Sequence, residues 1–290
     1  MFLGTPGFAV PSLEAVASET VAVYTQPDRP RGRGQELAMP PVKEAALRLG
    51  IPVHQPVKIR GVVDELRAWN ADAMIVVGYG QIIPQTIIDI PPMGIINVHA
   101  SLLPKYRGAA PIQWAIARGE STTGVTTMKI NAGLDTGDML LKWRTEIGAE
   151  ETAIELAERL AAAGANLLRR TLDEWPNIVP EPQDDSQATL APILKKEDGL
   201  IDWSRPAREI ANRVRGFQPW PGCHTFAGGK KLGIWKARAV PGSGAVGQVL
   251  KGFRVGCGEG LLEVMEVQPE GRKRMSAAAF LSGHQVEALG

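Results

Sequence analysis

Ala73-Met74-Ile75-Val76-Val77 is an unbroken apolar run closed by Gly78. A strand with no polar face has to be covered on both sides, which is the condition of a central strand in a parallel sheet flanked by helices. A second run, Gly94 to His99, lies between Pro91-Pro92 and Pro104 and fits a buried strand better than a helix. At the start of the chain, Phe2 to Gly7 predicts a strand entering a tight turn, Val10 to Ala17 a helix and Val21 to Thr25 a strand, a β-α-β opening. Only three residues precede Gly4, short for a strand, so a few residues are expected to be trimmed from the start. These runs make the first part of the chain an α/β open sheet.

The remaining elements follow from pattern and punctuation. Helices are predicted over Pro40 to Leu49, Val62 to Trp69, Pro111 to Arg118 and Ala153 to Trp175, the last with Leu156, Leu160, Leu167 and Leu172 on its packed side. Thr123 to Ile130 and Met139 to Thr145 read as strands. Pro176 to Pro192, rich in Pro, Asp and Gln, has neither period and reads as a linker. A helix follows over Arg205 to Arg215 with Ser204 as its cap. From Cys223 on, short β-prone runs alternate with Gly-rich turns, predicting a small antiparallel β-barrel like those of the oligonucleotide-binding type. The expected organisation is residues 1–175 as one domain, 176–196 as linker and 197–290 as the barrel.

Composition excludes several classes. With 290 residues, 44% hydrophobic and 22% charged, the chain is long enough for two globular domains. No apolar run approaches the roughly 20 residues a membrane helix needs, and no leader precedes the first strand, so a cytoplasmic protein without a membrane partner is expected. The two cysteines form no ligand pattern, so free thiols and no metal are expected. The turn after the first strand lacks G-x-G-x-x-G, and the one acid beyond the second strand, Asp28, lies between two prolines in a basic loop; a dinucleotide site is rejected. His54 has no carboxylate or second His close in sequence and reads as structural. Net charge is +1, low for a nucleic-acid partner, yet Lys and Arg outnumber Asp and Glu from Glu197 onward while the reverse holds before it.

The chemistry concentrates where the second apolar run gives out. Side chains alternate along a strand, so Asn97 and His99 share a face at the carboxyl edge where open α/β sheets bind ligands. An amide NH2 and a protonated imidazole can both donate to an oxygen becoming negative; the same pair can also merely satisfy loop backbone. Downstream, Asn131 to Asp138 carries two Gly and two Asp, enough for an ordinary tight turn. Gln26 to Gln35 holds two Pro, two Gly and three Arg; it reads as a loop that is either a phosphate contact or a solvated insertion. Lys195-Lys196 admits the same two readings.

Taken together, Asn97-Val98-His99-Ala100-Ser101-Leu102-Leu103-Pro104-Lys105-Tyr106-Arg107-Gly108-Ala109-Ala110-Pro111 and Gly133-Leu134-Asp135-Thr136-Gly137-Asp138 resemble the formyltransferases that use 10-formyltetrahydrofolate, and within them the group acting on methionyl-tRNA. The resemblance covers nearly the whole chain. It implies a Rossmann-like catalytic domain in which Asn97, His99 and Asp135 are catalytic. It implies a pterin pocket lined by the backbone of Gly80, Gln81, Ile82 and Ile83 and by the loop Ser101, Leu102, Leu103 and Pro104. It implies that the Arg-rich loop, Arg33 foremost with Arg29 and Arg31, enters the acceptor arm of initiator tRNA, with Lys195 and Lys196 beside that path. The expected reaction moves the formyl group to the α-amine of methionine on initiator methionyl-tRNA, by a monomeric enzyme that needs no Ser or Cys nucleophile. Two other readings stay open at this point: a transformylase acting on a small amine such as an amino sugar nucleotide, and a nucleic-acid-binding protein with a retired site.

Overall fold

The computed structural model describes residues 1–31 and 36–290, and the chain divides into two compact units. The first comprises Met1–Gly108, Gly124–Thr145 and Ala157–Leu190. Its strands in chain order are β1 (Phe2–Gly4), β2 (Val23–Tyr24), β3 (Arg29–Arg31), β4 (Glu36–Ala38), β5 (Val53–His54), β6 (Met74–Val77), β7 (Ile95–His99), β8 (Thr122–Lys129) and β9 (Met139–Glu146). Seven of them form one sheet in the order β5-β2-β1-β6-β7-β8-β9. Neighbours from β5 to β7 are parallel, and β8 joins β7 antiparallel. The sheet is therefore mixed.

The apolar runs sit where burial demands. β6 lies between β1 and β7 with all four residues buried, and all five residues of β7 are buried as well. Each fully buried Val, Ile or Met side chain contributes roughly 1.5–3 kcal/mol relative to exposure, so this pair of strands has little freedom to shift register. Along the helix Ala153–Glu174, Leu156, Leu160, Leu167 and Leu168 are buried. A Cβ on Gly164 of that helix would stand 3.0 Å from Val98 Cγ1, so glycine lets the helix seat closely on the centre of β7. With Val98 turned to the helix, Asn97 and His99 are left on the opposite face of the strand.

Two local expectations are corrected, and the structural reading of His54 gains its partners. The segment read as a loop at residues 26–35 contains β3, which pairs antiparallel with β4 through Arg29↔Ala38 and Arg31↔Glu36. In a two-strand ribbon Pro30 can sit where no N–H is required. His54, with no acid close in sequence, has one in space: its Nδ1 is 2.7 Å from Glu65 Oε1, which also accepts the Tyr24 hydroxyl at 2.6 Å, and its ring stacks on Tyr24. Ser204 is not a helix cap. Its hydroxyl donates to Asp202, and the helix begins at Ala207 behind Pro206.

The second unit comprises Ala109–Thr123, Glu146–Leu156 and Ala191–Gly290. Strands β10 (Cys223–Ala227), β11 (Lys230–Val240), β12 (Val249–Leu250), β13 (Arg254–Gly256), β14 (Leu261–Pro269) and β15 (Met275–Ser276) make an antiparallel sheet along the path β10-β11-β14-β13-β12, with β15 on β14. The helix Pro111–Ala117, just past the site string, belongs to this unit and meets the helix Ala207–Gly216. A Cβ on Gly216 would reach Ala117 N and Gln113 O at 3.0 Å, so glycine sets how closely the two helices approach. Trp114 meets Phe217 edge to face, centroids 5.3 Å apart. Among the described residues no helix is long and apolar enough to cross a membrane.

Candidate active site

β7 delivers Asn97 and His99 to the carboxyl edge of the parallel strands, and the turn between β8 and β9 brings Asp135 to them. Asn97 Nδ2 is 3.4 Å from Asp135 Oδ1, and His99 Nδ1 is 3.7 Å from Asp135 Oδ2. Both distances exceed those of strong hydrogen bonds, so none of the three groups is saturated by the other two. His99 is 6% exposed and Asp135 17% by side chain, which keeps their mutual charge interaction poorly screened. The three residues named from the sequence as catalytic thus come together in space.

Two backbone groups that the sequence reading did not single out fix their orientation. His99 Nε2 lies 2.9 Å from the Tyr106 carbonyl. A carbonyl only accepts, so Nε2 carries the hydrogen and Nδ1 is the nitrogen that faces Asp135. The Gly108 N–H donates to Asp135 Oδ2 at 2.9 Å. Tyr106 and Asp135 both have positive φ, 62° and 52°, in the left-handed region that costs a non-glycine residue on the order of 1 kcal/mol. Inside the Asp135 turn, Asn131 Oδ1 accepts from Gly133 N at 3.0 Å and from the Thr136 hydroxyl at 2.8 Å. Gly137 is required by space, since a Cβ there would stand 1.7 Å from the Lys129 carbonyl oxygen.

The loop after His99 is closed by its own polar groups. Ser101, fully buried, donates to Lys105 O at 2.6 Å, and Thr126 Oγ1 both donates to Ser101 O and accepts from Leu103 N. Leu103 packs with Met128 and Met139 in a small core, so its side chain is turned inward, while Leu102 and Pro104 are half-buried. On the neighbouring strand, Val76 is level with Asn97, so the loop from Gly78 leaves the sheet beside His99. Gln81 ties that loop down: its Oε1 accepts from Ile59 N at 2.7 Å, and its amide donates to Pro56 O at 3.3 Å. Gly80 keeps φ at +82°, and a Cβ there would meet Gln26 Nε2 at 3.7 Å; Ile83 is buried, and Ile82 is 92% exposed. The Ile82 side chain therefore stands in solvent on this loop.

Of the cationic residues, Arg29 is exposed and donates to Gln26 at 3.3 Å. Arg31 closes β3, and Arg33 lies outside the described residues. Lys195 and Lys196 are exposed in the second unit, at the start of a short 3-10 turn where Asp198 accepts from Lys195 N. Among the described residues no group of three or more His, Cys, Asp or Glu could hold a metal ion.

An amide donor, an imidazole of fixed tautomer and a carboxylate at a sheet edge are the parts of an acyl-type transfer site, and the family models give that class its name. The "Formyl transferase" model matches residues 11–172 and the "Formyl transferase, C-terminal domain" model residues 193–285. Among solved structures, a sugar 3N-formyl transferase, WlaRD, superposes with a TM-score of 0.70 at 18% identity, over 94% of this chain and 97% of that one. HypX from Aquifex aeolicus in complex with tetrahydrofolic acid gives 0.62 at 16% identity, over 100% of this chain and 50% of that one. Both are likenesses of fold. The particular family comes from sequence. The chain is 62% identical to the methionyl-tRNA formyltransferase of Solibacter usitatus (strain Ellin6076), over 99% of this chain and 96% of the relative. It is 51% identical to that of Trichlorobacter lovleyi (strain ATCC BAA-1151 / DSM 17278 / SZ), over 100% and 95%. The chain belongs to the methionyl-tRNA formyltransferase family.

Proposed function

We propose that this enzyme transfers the formyl group of 10-formyltetrahydrofolate to the α-amine of initiator methionyl-tRNA. The observation that carries the reading is the convergence of Asn97, His99 and Asp135 at the end of β7 in a chain of this family. The nucleophile is the acceptor's own amine, so no protein nucleophile is required. Asn97 donates its amide hydrogen to the formyl oxygen as charge develops there. His99, hydrogen-bearing at Nε2, takes the amine's proton at Nδ1, donates toward the oxyanion and returns the proton to the departing folate nitrogen. The new bond joins amine nitrogen to formyl carbon, the bond from folate nitrogen to that carbon breaks, and one proton passes from the first nitrogen to the second. Asp135, 3.7 Å from Nδ1, orients the ring for both proton transfers.

The folate fits the edge formed by Gly80 to Ile83 and by Ser101 to Pro104, where backbone N–H and C=O groups suit a pterin and Ile82 supplies an apolar wall. The first unit is read as Rossmann-like and the antiparallel sheet of the second as a closing barrel of the oligonucleotide-binding type, with residues 176–196 as linker. Arg33, with Arg29 and Arg31, contacts the acceptor arm, and Lys195 and Lys196 contact tRNA phosphate. The protein acts as a cytoplasmic monomer.

The reading is tested by incubating the purified chain with 10-formyltetrahydrofolate and methionyl initiator tRNA and measuring formylmethionyl-tRNA. Product is expected; folate binding without product would overturn the acceptor. Arg33→Ala is expected to slow transfer to charged tRNA while leaving a truncated aminoacyl acceptor unaffected. An unaltered tRNA rate would remove Arg33 from the contact.

A further inference from the structure

Residues 181–190 do not pass by the active site without touching it. Gln183 places its amide nitrogen 2.8 Å from the carbonyl of Asp135 and 2.8 Å from that of Gly137, so one NH2 group holds both ends of the backbone turn that presents the Asp135 carboxylate. The amide cannot be reversed without turning its oxygen against two carbonyls, and a third residue fixes its sense: Arg107 Nε donates to Gln183 Oε1 at 2.9 Å. Arg107 is itself 7% exposed. Its charge is balanced by Asp185 at 2.7 Å, and its backbone N–H is taken by Thr189 O at 2.8 Å.

Three consecutive residues thereby address the whole constellation. Tyr106 binds His99 through its carbonyl, Gly108 binds the Asp135 carboxylate through its N–H, and Arg107 between them binds the Asp135 backbone through Gln183. We infer that Gln183, oriented by Arg107, is a positioning residue for formyl transfer: it keeps Asp135 in its left-handed conformation and so sets where the carboxylate stands against His99 and Asn97. The inference rests on the proposed function, and it assigns a catalytic consequence to a stretch whose composition reads only as a linker. A carboxylate displaced by about 1 Å can cost on the order of 100-fold in rate without loss of binding.

The test separates positioning from simple anchoring. Gln183→Glu keeps an acceptor for Arg107, now as an ion pair, but removes both donors to the Asp135 turn; Gln183→Ala removes everything. kcat and KM for folate and for methionyl-tRNA are measured for both variants, with Asn97→Ala alongside and thermal melting of each protein. The expected result is that kcat falls about 10- to 100-fold in both Gln183 variants, with KM values within a few-fold of the parent and both variants still folded at the assay temperature by their melting curves. If Gln183→Glu keeps the parent kcat while Asn97→Ala loses it, the inference is overturned and the proposed site stands. If Asn97→Ala also keeps the parent kcat, the site reading fails and takes the inference with it.

Discussion

Asp135 Oδ1 stands 3.4 Å from the Asn97 amide nitrogen, too far to occupy it with a strong hydrogen bond. An amide donor aimed at a developing oxyanion is worth far more in the transition state than in the ground state. Asn97→Ala is therefore expected to lower the single-turnover transfer rate by roughly 100- to 1000-fold while folate affinity, measured by fluorescence titration, stays within a few-fold. A parent-like rate would exclude Asn97 as the oxyanion donor. At this scale the sequence was informative about two residues for a physical reason: a period of two puts Asn97 and His99 on one face of a run that composition marks as a buried strand. Asp135 had no such signal, since its turn is an ordinary one by composition, and only the resemblance named it. Gly108 and Gln183 reach Asp135 across long sequence separations, and Tyr106 reaches His99 through a backbone carbonyl; nothing in a side-chain pattern encodes either.

The elements follow the same division between local and distant causes. β6, β7 and the helix Ala153–Glu174 were legible because apolar runs and helical spacing are local. The β3–β4 ribbon and β15 were not, because strands of two or three residues exist only through a partner. The segment before β3 is clipped to the unit at Asp28, whose carboxylate meets Lys43 Nζ at 2.7 Å and Gln55 Nε2 at 2.7 Å. The Lys43 ammonium and the Gln55 amide hold the Asp28 carboxyl below its ordinary value of 3.8. A depressed folded pKa means that the clip contributes in full above that value and is lost as pH falls through the folded one. Asp28→Asn should accordingly lower the urea midpoint at pH 7, with the difference from the parent shrinking as pH drops below 3.8. A difference that stays constant down to pH 2 would contradict the clip.

For the molecule as a whole, the first of the five points at which the chain passes from one unit to the other falls just after Gly108, the residue whose N–H holds Asp135. Sequence patterning foresaw an α/β portion followed by an antiparallel one, and both are present. It did not foresee that the helix Pro111–Ala117 and residues 146–156 belong to the second unit, because unit membership is decided by packing across long separations and leaves no mark on local composition. The acceptor proposed for this fold is the amine of a particular charged tRNA. It is tested most directly by measuring formyl transfer from 10-formyltetrahydrofolate, in parallel, to methionyl initiator tRNA, to methionyl elongator tRNA and to an amino sugar nucleotide. Rapid transfer to the initiator and little to the other two is expected; equal or faster transfer to the amino sugar nucleotide would rule out the tRNA as acceptor.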